Sequence, residues 1–382
     1  SLLLIRGTSE SATMNNVIVL LKLAIIASFI FLGWKYIRAD NFVPYVPANT
    51  GEFGVYGFSG IIRAAAVVMF AYVGFDAVST AAQETKNPSR NMPIGILGTL
   101  LVCTILYMAF SHVMLGTTPY ELFKGHDGIA PVALAIDHMG EVGADGVFVP
   151  AYPWMGKAIV LAILAGYTSV ILVMLLGQSR VFYSMSKDGL LPKAFSVIHP
   201  KYRTPHKSSL LLMVAVSIFV LLTPARVAGE LTSIGTLFAF ILVCIGVMVL
   251  RRQMPEAQRS FRTPWVPWIP LAGVAACLFM MLFLPLETWT RLIIWMLIGM
   301  DVYYFYGSRH SRLRGEKPLS ARGFRTVART AVGLSAALTV VAVLCYVTDG
   351  NKVMLFISLG LAFVHVAGYK SKVGVRRYRE NM

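Results

Sequence analysis

Ten apolar runs of about 20 residues each divide this chain, and each is long enough to cross the ~30 Å hydrocarbon core of a bilayer as a helix. They cover 16–34, 57–82, 92–115, 155–183, 208–223, 230–250, 264–284, 289–307, 326–347 and 352–369. Backbone N–H and C=O groups find no water in hydrocarbon, so runs of this length fold as helices that bond internally. The predicted fold is therefore an all-α polytopic membrane protein with ten transmembrane helices. A barrel would instead show alternating segments of about ten residues. Only 14% of residues are charged, against about a quarter in soluble domains.

The formal charge of +16 invites a nucleic-acid reading, but its distribution argues otherwise. If the first span runs inside to outside, the inner segments hold 25 lysines and arginines and the outer segments six. Such an asymmetry orients membrane proteins, with the basic loops and the C-terminus on the cytoplasmic side. The expected location is the cell membrane, as in a bacterial inner membrane, with the lipid bilayer and no nucleic acid as partner. Cys103, Cys244, Cys277 and Cys345 all lie inside apolar runs, with no CxxC pair or Cys/His cluster. That pattern predicts no metal site and no cofactor. No P-loop pattern is present, which leaves ATP-driven transport within this chain unsupported.

One span carries an internal contradiction. The stretch 57–96 reads GFSGIIRAAAVVMFAYVGFDAVSTAAQETKNPSRNMPIGI and places Gly74 and Asp76 deep in an apolar run. A carboxylate at that depth is costly and generally faces a cavity, and a helix interrupted there generally lines a substrate site. Asp76 is thus a candidate to attract a cationic side chain or join a proton relay. The plainer alternative is a carboxylate that bonds unwound backbone N–H groups. Lys22 lies seven residues into the first span among Leu20, Leu21, Leu23 and Ala24, too deep to reach the interface easily. Its ammonium is poorly solvated there, which suits it to proton exchange; the alternative is a lysine bonded to helix-end carbonyls.

Six ordered motifs then resemble one family, the amino acid–polyamine–organocation (APC) transporters, with the cationic amino acid transporter branch most similar. They are GTSESATMNN (7–16) before the Lys22 span, FAYVGFDAVSTAAQETKNPSRNMPIGI (70–96), GQSRVFYSMSKDGLLP (177–192), ELTSIGTLFAF (230–240), FRTPWVPWIP (261–270) and YYFYGSRHSRL (303–313). The resemblance implies that the ten spans are helices 5–14 of a fourteen-helix protein whose first four helices precede residue 1. It implies an inverted repeat of five plus five helices with a broken helix. Residues 1–250 would hold the last helix of repeat one and all of repeat two, and 251–382 a four-helix accessory region with a basic tail. Carbonyls of Phe70, Ala71 and Val73, at the electronegative end of the first half-helix, would bind the substrate ammonium. Lys22 would occupy the place of a sodium ion and couple transport to protons.

The resemblance thus implies an alternating-access amino acid permease, not an enzyme, carrying cationic or small neutral substrates. It would be sodium-independent and driven by protons or counter-substrate. Further candidate partners are a second copy of the chain or a small accessory membrane subunit. The rival reading is a non-transporting subunit or sensor of the same fold. Around the break, Glu84, Asn87, Pro88 and Arg90 suit either an intracellular gate or a capped helix end; the family's usual second acid is Gln83 here. Asp301 suits a structural pairing or dimer contact more than an ion pathway, His112 and His365 suit packed or interfacial positions, and Gly235 and Gly246 suit close helix approach, with rocking as the alternative. Residues 129–139 suit a short surface helix.

Overall fold

The computed structural model describes residues 9–75, 85, 87–123, 131–142, 147–200, 204–257, 259, 261–307, 310–312 and scattered positions from 329 to 360. The expected span at 326–347 is described only in part, and the one at 352–369 lies almost wholly outside these residues. The described helices are α1 (Ser9–Gly33), α2 (Gly57–Val68), α3 (Pro88–Thr117), α4 (Pro131–Asp137), α5 (Pro153–Lys187), α6 (His206–Leu222), α7 (Ala225–Gln253), α8 (Trp268–Leu282) and α9 (Leu286–Val302). Asn16–Tyr36, Pro88–Thr117, Pro153–Lys187 and Val227–Gln253 are each long and apolar enough to cross a membrane. Helices α8 and α9 meet at a 120° bend, and Gly57–Tyr72 and His206–Leu221 are shorter apolar helices. Apolar side chains cover the outer faces of these helices, among them Leu20, Leu101, Leu161 and Leu221. That surface belongs in hydrocarbon, and the chain is a multi-pass helical membrane protein.

The chain divides into two compact units. The first comprises residues 1–58, 74–178 and 199–204. Its core joins Phe29 of α1, Val113 of α3, Ala135 and Ile136 of α4, Met139, and Met155 and Ile159 of α5. Phe29 stacks on Phe110 at 4.4 Å between ring centroids. Gly33 lets α1 and α3 close together, since a Cβ there would stand 2.5 Å from Val113 Cγ1. The carbonyl of Gly116 near the end of α3 accepts from Arg38 N–H at 2.9 Å and from Asn41 Nδ2 at 2.7 Å. Helix-end carbonyls lack intrahelical donors, so these two bonds finish the helix and fix the loop after α1.

The segment between α3 and α5 departs from expectation. A helix does form at Pro131–Asp137, but it is no surface helix: Ala135, Ile136 and the following Met139 are fully buried. Their apolar atoms close one end of the core, which a polar loop could not do. A two-stranded antiparallel hairpin follows, β1 (Gly140–Val142) with β2 (Phe148–Pro150), in the register Glu141 opposite Val149. Three-residue strands give too little alternation to be legible in sequence.

The second unit comprises residues 59–73, 179–198 and 205–382. Its core gathers Ala66 of α2, Ile234, Leu237 and Ile241 of α7, Cys277 and Met281 of α8, Leu284, and Leu292 of α9. Positions 234, 237 and 241 recur at helical spacing, so α7 turns one apolar stripe to its neighbours. Trp289 Nε1 donates to the Met281 carbonyl at 3.0 Å across the α8–α9 bend. The DGLLP turn at 188–192 stops α5. Gly189 takes φ +78°, Leu190 N–H donates to Met185 O at 2.9 Å, and Ser186 Oγ donates to Pro192 O at 2.8 Å. A glycine at positive φ after the last helical residues is the usual helix stop. At the end of α7, Arg259 donates to the carbonyls of Leu250 and Met254, so one basic loop residue also caps a helix.

Gly235 and Gly246 make no close approach among the described residues: none of these lies within 4 Å of where a Cβ would stand at either. Gly273 of α8 makes one, since a Cβ there would stand 3.0 Å from Cys244 Sγ. His112 packs as expected, stacked on Phe42 at 4.8 Å. Asp301 is half-buried at the end of α9, and His365 lies outside the described residues.

Candidate functional site: a helix broken inside its span

The span that begins at Gly57 does not run through. Regular α-helix ends at Val68, and Met69–Tyr72 tighten into a single 3₁₀ turn. Val73 then takes extended ψ 125° while its N–H donates to Phe70 O at 3.1 Å. Gly74 follows at φ +129°, a conformation closed to side chains on steric grounds. Two β-branched residues at 67 and 68 and aromatics at 70 and 72 weaken the helix, and the glycine turns it. Phe70, Ala71 and Val73 therefore form the end of a half-helix, with carbonyls at its electronegative pole. Asp76 lies outside the described residues, as do Gln83 and Glu84. Beyond them, Asn87 sits at φ +50° and its carbonyl accepts from Arg90 and Asn91 N–H at 3.1 and 3.0 Å. Pro88 opens α3 at a position where its missing N–H costs nothing.

The half-helix end is held from α7. Ser233 is fully buried, and its hydroxyl donates to the Val67 carbonyl at 2.7 Å. One turn earlier on α7, the buried Glu230 accepts through Oε2 from Arg291 Nη1 at 2.9 Å and from Thr288 Oγ1 at 3.2 Å. Arg291 Nη2 also donates to Glu287 Oε2 at 3.0 Å. Neither Arg291 nor Ser233 stands out in the sequence as a site residue. The signal for the pair was opposite charges near the starts of two spans.

Lys22 sits half-buried on α1 while Leu20, Leu21 and Leu23 beside it are exposed. Its stem crosses the backbone of Gly166 on α5: a Cβ at 166 would stand 2.5 Å from Lys22 Cε and 3.3 Å from Nζ. In the same unit, a Cβ at Gly74 would stand 3.4 Å from Met174 Cε. Residues 166 and 174 are eight apart on α5, about 12 Å along its axis. One helix thus touches both Lys22 and the glycine of the break. Gly166 is invisible as a site residue in sequence, because nothing there marks which glycine faces the lysine. No group of three or more metal-ligating side chains occurs among the described residues.

A multi-pass helical membrane protein with a span interrupted at mid-run is the architecture of a solute transporter. Residues 2–302 match the model of the amino acid permease family, and the chain belongs to that family. Its members are transporters, not enzymes. The chain is 40% identical over 311 residues to the branched-chain amino acid permease of Bacillus subtilis, covering 81% of this chain and 62% of that protein. It is 41% identical over 309 residues to the methylthioribose transporter of the same organism, covering 81% of this chain and 62% of that protein. It is 32% identical over 257 residues to the vacuolar cationic amino acid transporter 4 of Arabidopsis thaliana, covering 67% of this chain and 40% of that protein. The chain thus spans about three fifths of the two bacterial relatives' length.

Proposed function

We propose that this chain supplies one half of the substrate site of an amino acid transporter that works by alternating access across the cell membrane. The observation that carries the reading is the half-helix that ends at Val73 and Gly74 inside a permease-family span. Its carbonyl pole suits an ammonium group, and the carbonyls of Phe70, Ala71 and Val73 are the proposed contacts. Asp76 is the proposed partner of a cationic side chain. Lys22, lying on Gly166, is the proposed proton-coupling group in a sodium-independent cycle driven by protons or counter-substrate. Residues 1–250 form the core portion and 251–382 the accessory membrane region, with ten spans and a cytoplasmic C-terminus.

For the substrate, cationic or small neutral amino acids follow from Asp76 and the family branch. A second reading, a branched-chain amino acid, is favoured by the 40% identical relative named for that cargo. The test is radiolabelled uptake into proteoliposomes that hold the full-length protein, with and without an inward proton gradient. Arginine, lysine, alanine and leucine form the panel. Gradient-driven uptake that Lys22→Ala abolishes supports transport and the coupling lysine together. Leucine uptake without arginine uptake selects the second reading. A folded protein that takes up none of the four refutes the proposal in favour of a non-transporting subunit or a different cargo.

A further inference from the structure

We infer that Ser233 is a positioning residue for the substrate-binding end of the broken helix, resting on the function proposed above. Hydroxyls inside helices usually bond back to the carbonyl four residues earlier. Ser28, Thr104, Thr168, Thr232 and Thr290 do so here, at 2.7–3.2 Å. Ser233 does not. It reaches from α7 to the carbonyl of Val67, 166 residues away in sequence, at 2.7 Å.

Val67 lies in the last turn of α2, where carbonyls lose their intrahelical donors. Val67 is half-buried, and the hydroxyl that reaches its carbonyl belongs to the fully buried Ser233, which would be left without an acceptor if the bond were lost. The bond fixes where the helix ends, and the carbonyls of Phe70, Ala71 and Val73 follow within six residues. Filling the space would require only an apolar side chain. A hydroxyl aimed at another helix's terminal carbonyl holds that terminus in place.

Ser233 is itself held. Ile234 and Leu237 beside it pack on the fully buried Ala66 of α2. Glu230, three residues earlier, is tied to Thr288 and Arg291 of α9. The half-helix end is thus tethered through α7 to α9, a helix the sequence reading assigns to the accessory region. Substrate affinity then depends on a side chain that touches no substrate.

The experiment compares Ser233→Ala, Ser233→Cys and Thr232→Ala in the full-length protein reconstituted in proteoliposomes. Thr232 is the control, because its hydroxyl bonds back within α7, to Ala228 O at 2.8 Å. Ser233→Ala is expected to raise KM for the transported amino acid about tenfold, equivalent to ~1.4 kcal/mol, with maximal rate within about twofold. Ser233→Cys, a weaker donor of similar size, should fall between, and Thr232→Ala should match the parent. If Ser233→Ala does not accumulate, Ser233→Cys against the parent decides. An unchanged KM in Ser233→Ala, or an equal rise in Thr232→Ala, overturns the inference. Backbone hydrogen exchange across residues 66–73 separates this from failure of the proposed function. Faster exchange there in Ser233→Ala supports the anchor even if the parent takes up no amino acid; unchanged exchange overturns it.

Discussion

Arg291→Ala probes the joint between α7 and α9. Its guanidinium lies 2.9 Å from Glu230 Oε2, and the two side chains are only 19% and 9% exposed. Removing one partner of a buried ion pair costs about 3–5 kcal/mol, because the other charge stays desolvated. The Thr288 hydroxyl still donates to Glu230 at 3.2 Å in the variant, which places the loss near the lower end, about 3 kcal/mol. The second bond, to Glu287 with 37% of its side chain exposed, adds only about 0.3–0.5 kcal/mol. A loss of ~3 kcal/mol lowers Tm by roughly 4 °C in a chain of 382 residues, and by less in a longer one. The assay is thermal unfolding in detergent micelles of Arg291→Ala, Arg291→Met, Glu230→Gln and the double variant Glu230→Gln/Arg291→Met. The double variant should recover to within about 1 kcal/mol of the parent, since an apolar or neutral replacement of both partners avoids the stranded charge. If Arg291→Ala shifts Tm by less than about 1 °C, or the double variant loses the sum of the singles, the reasoning fails.

Gly166→Ala would place a Cβ 2.5 Å from Lys22 Cε and force the stem aside by about 1 Å, the distance to ordinary contact. Because a lysine stem is flexible, stability should change by less than about 1 kcal/mol while proton-driven uptake falls roughly 10–100-fold. Uptake and pH profile like the parent's would separate Lys22 from coupling. Gly74→Ala should destabilise by about 1–3 kcal/mol through backbone strain at φ +129°, since its Cβ would meet Met174 at an ordinary 3.4 Å. A neutral result in denaturation would mean the turn relaxes freely. Asp76→Asn should weaken arginine and lysine uptake more than alanine uptake; equal effects on all three would remove Asp76 from side-chain recognition.

Much of this protein was legible without coordinates. Runs of about 20 apolar residues dictate membrane helices because no other backbone arrangement satisfies its own hydrogen bonds in hydrocarbon. The break near Gly74 was legible because glycine and a carboxylate in an apolar run contradict a continuous helix. Local chemistry of this kind travels with the sequence.

Facing was not legible. Gly235 and Gly246 looked like packing glycines, yet among the described residues it is others, such as Gly33, Gly116, Gly166 and Gly273, that stand against a neighbour. Residues 131–139 looked like surface, yet Ile136 and Met139 close a core. Ser233 and Arg291 looked unremarkable, yet one holds the end of the broken helix and the other neutralises Glu230. The sequence alone determined that this is a multi-pass helical membrane protein and where one of its apolar helices breaks. Only the tertiary structure decided which side chains meet, because a helix offers every residue a face, and partners 61 and 166 residues apart are chosen by packing.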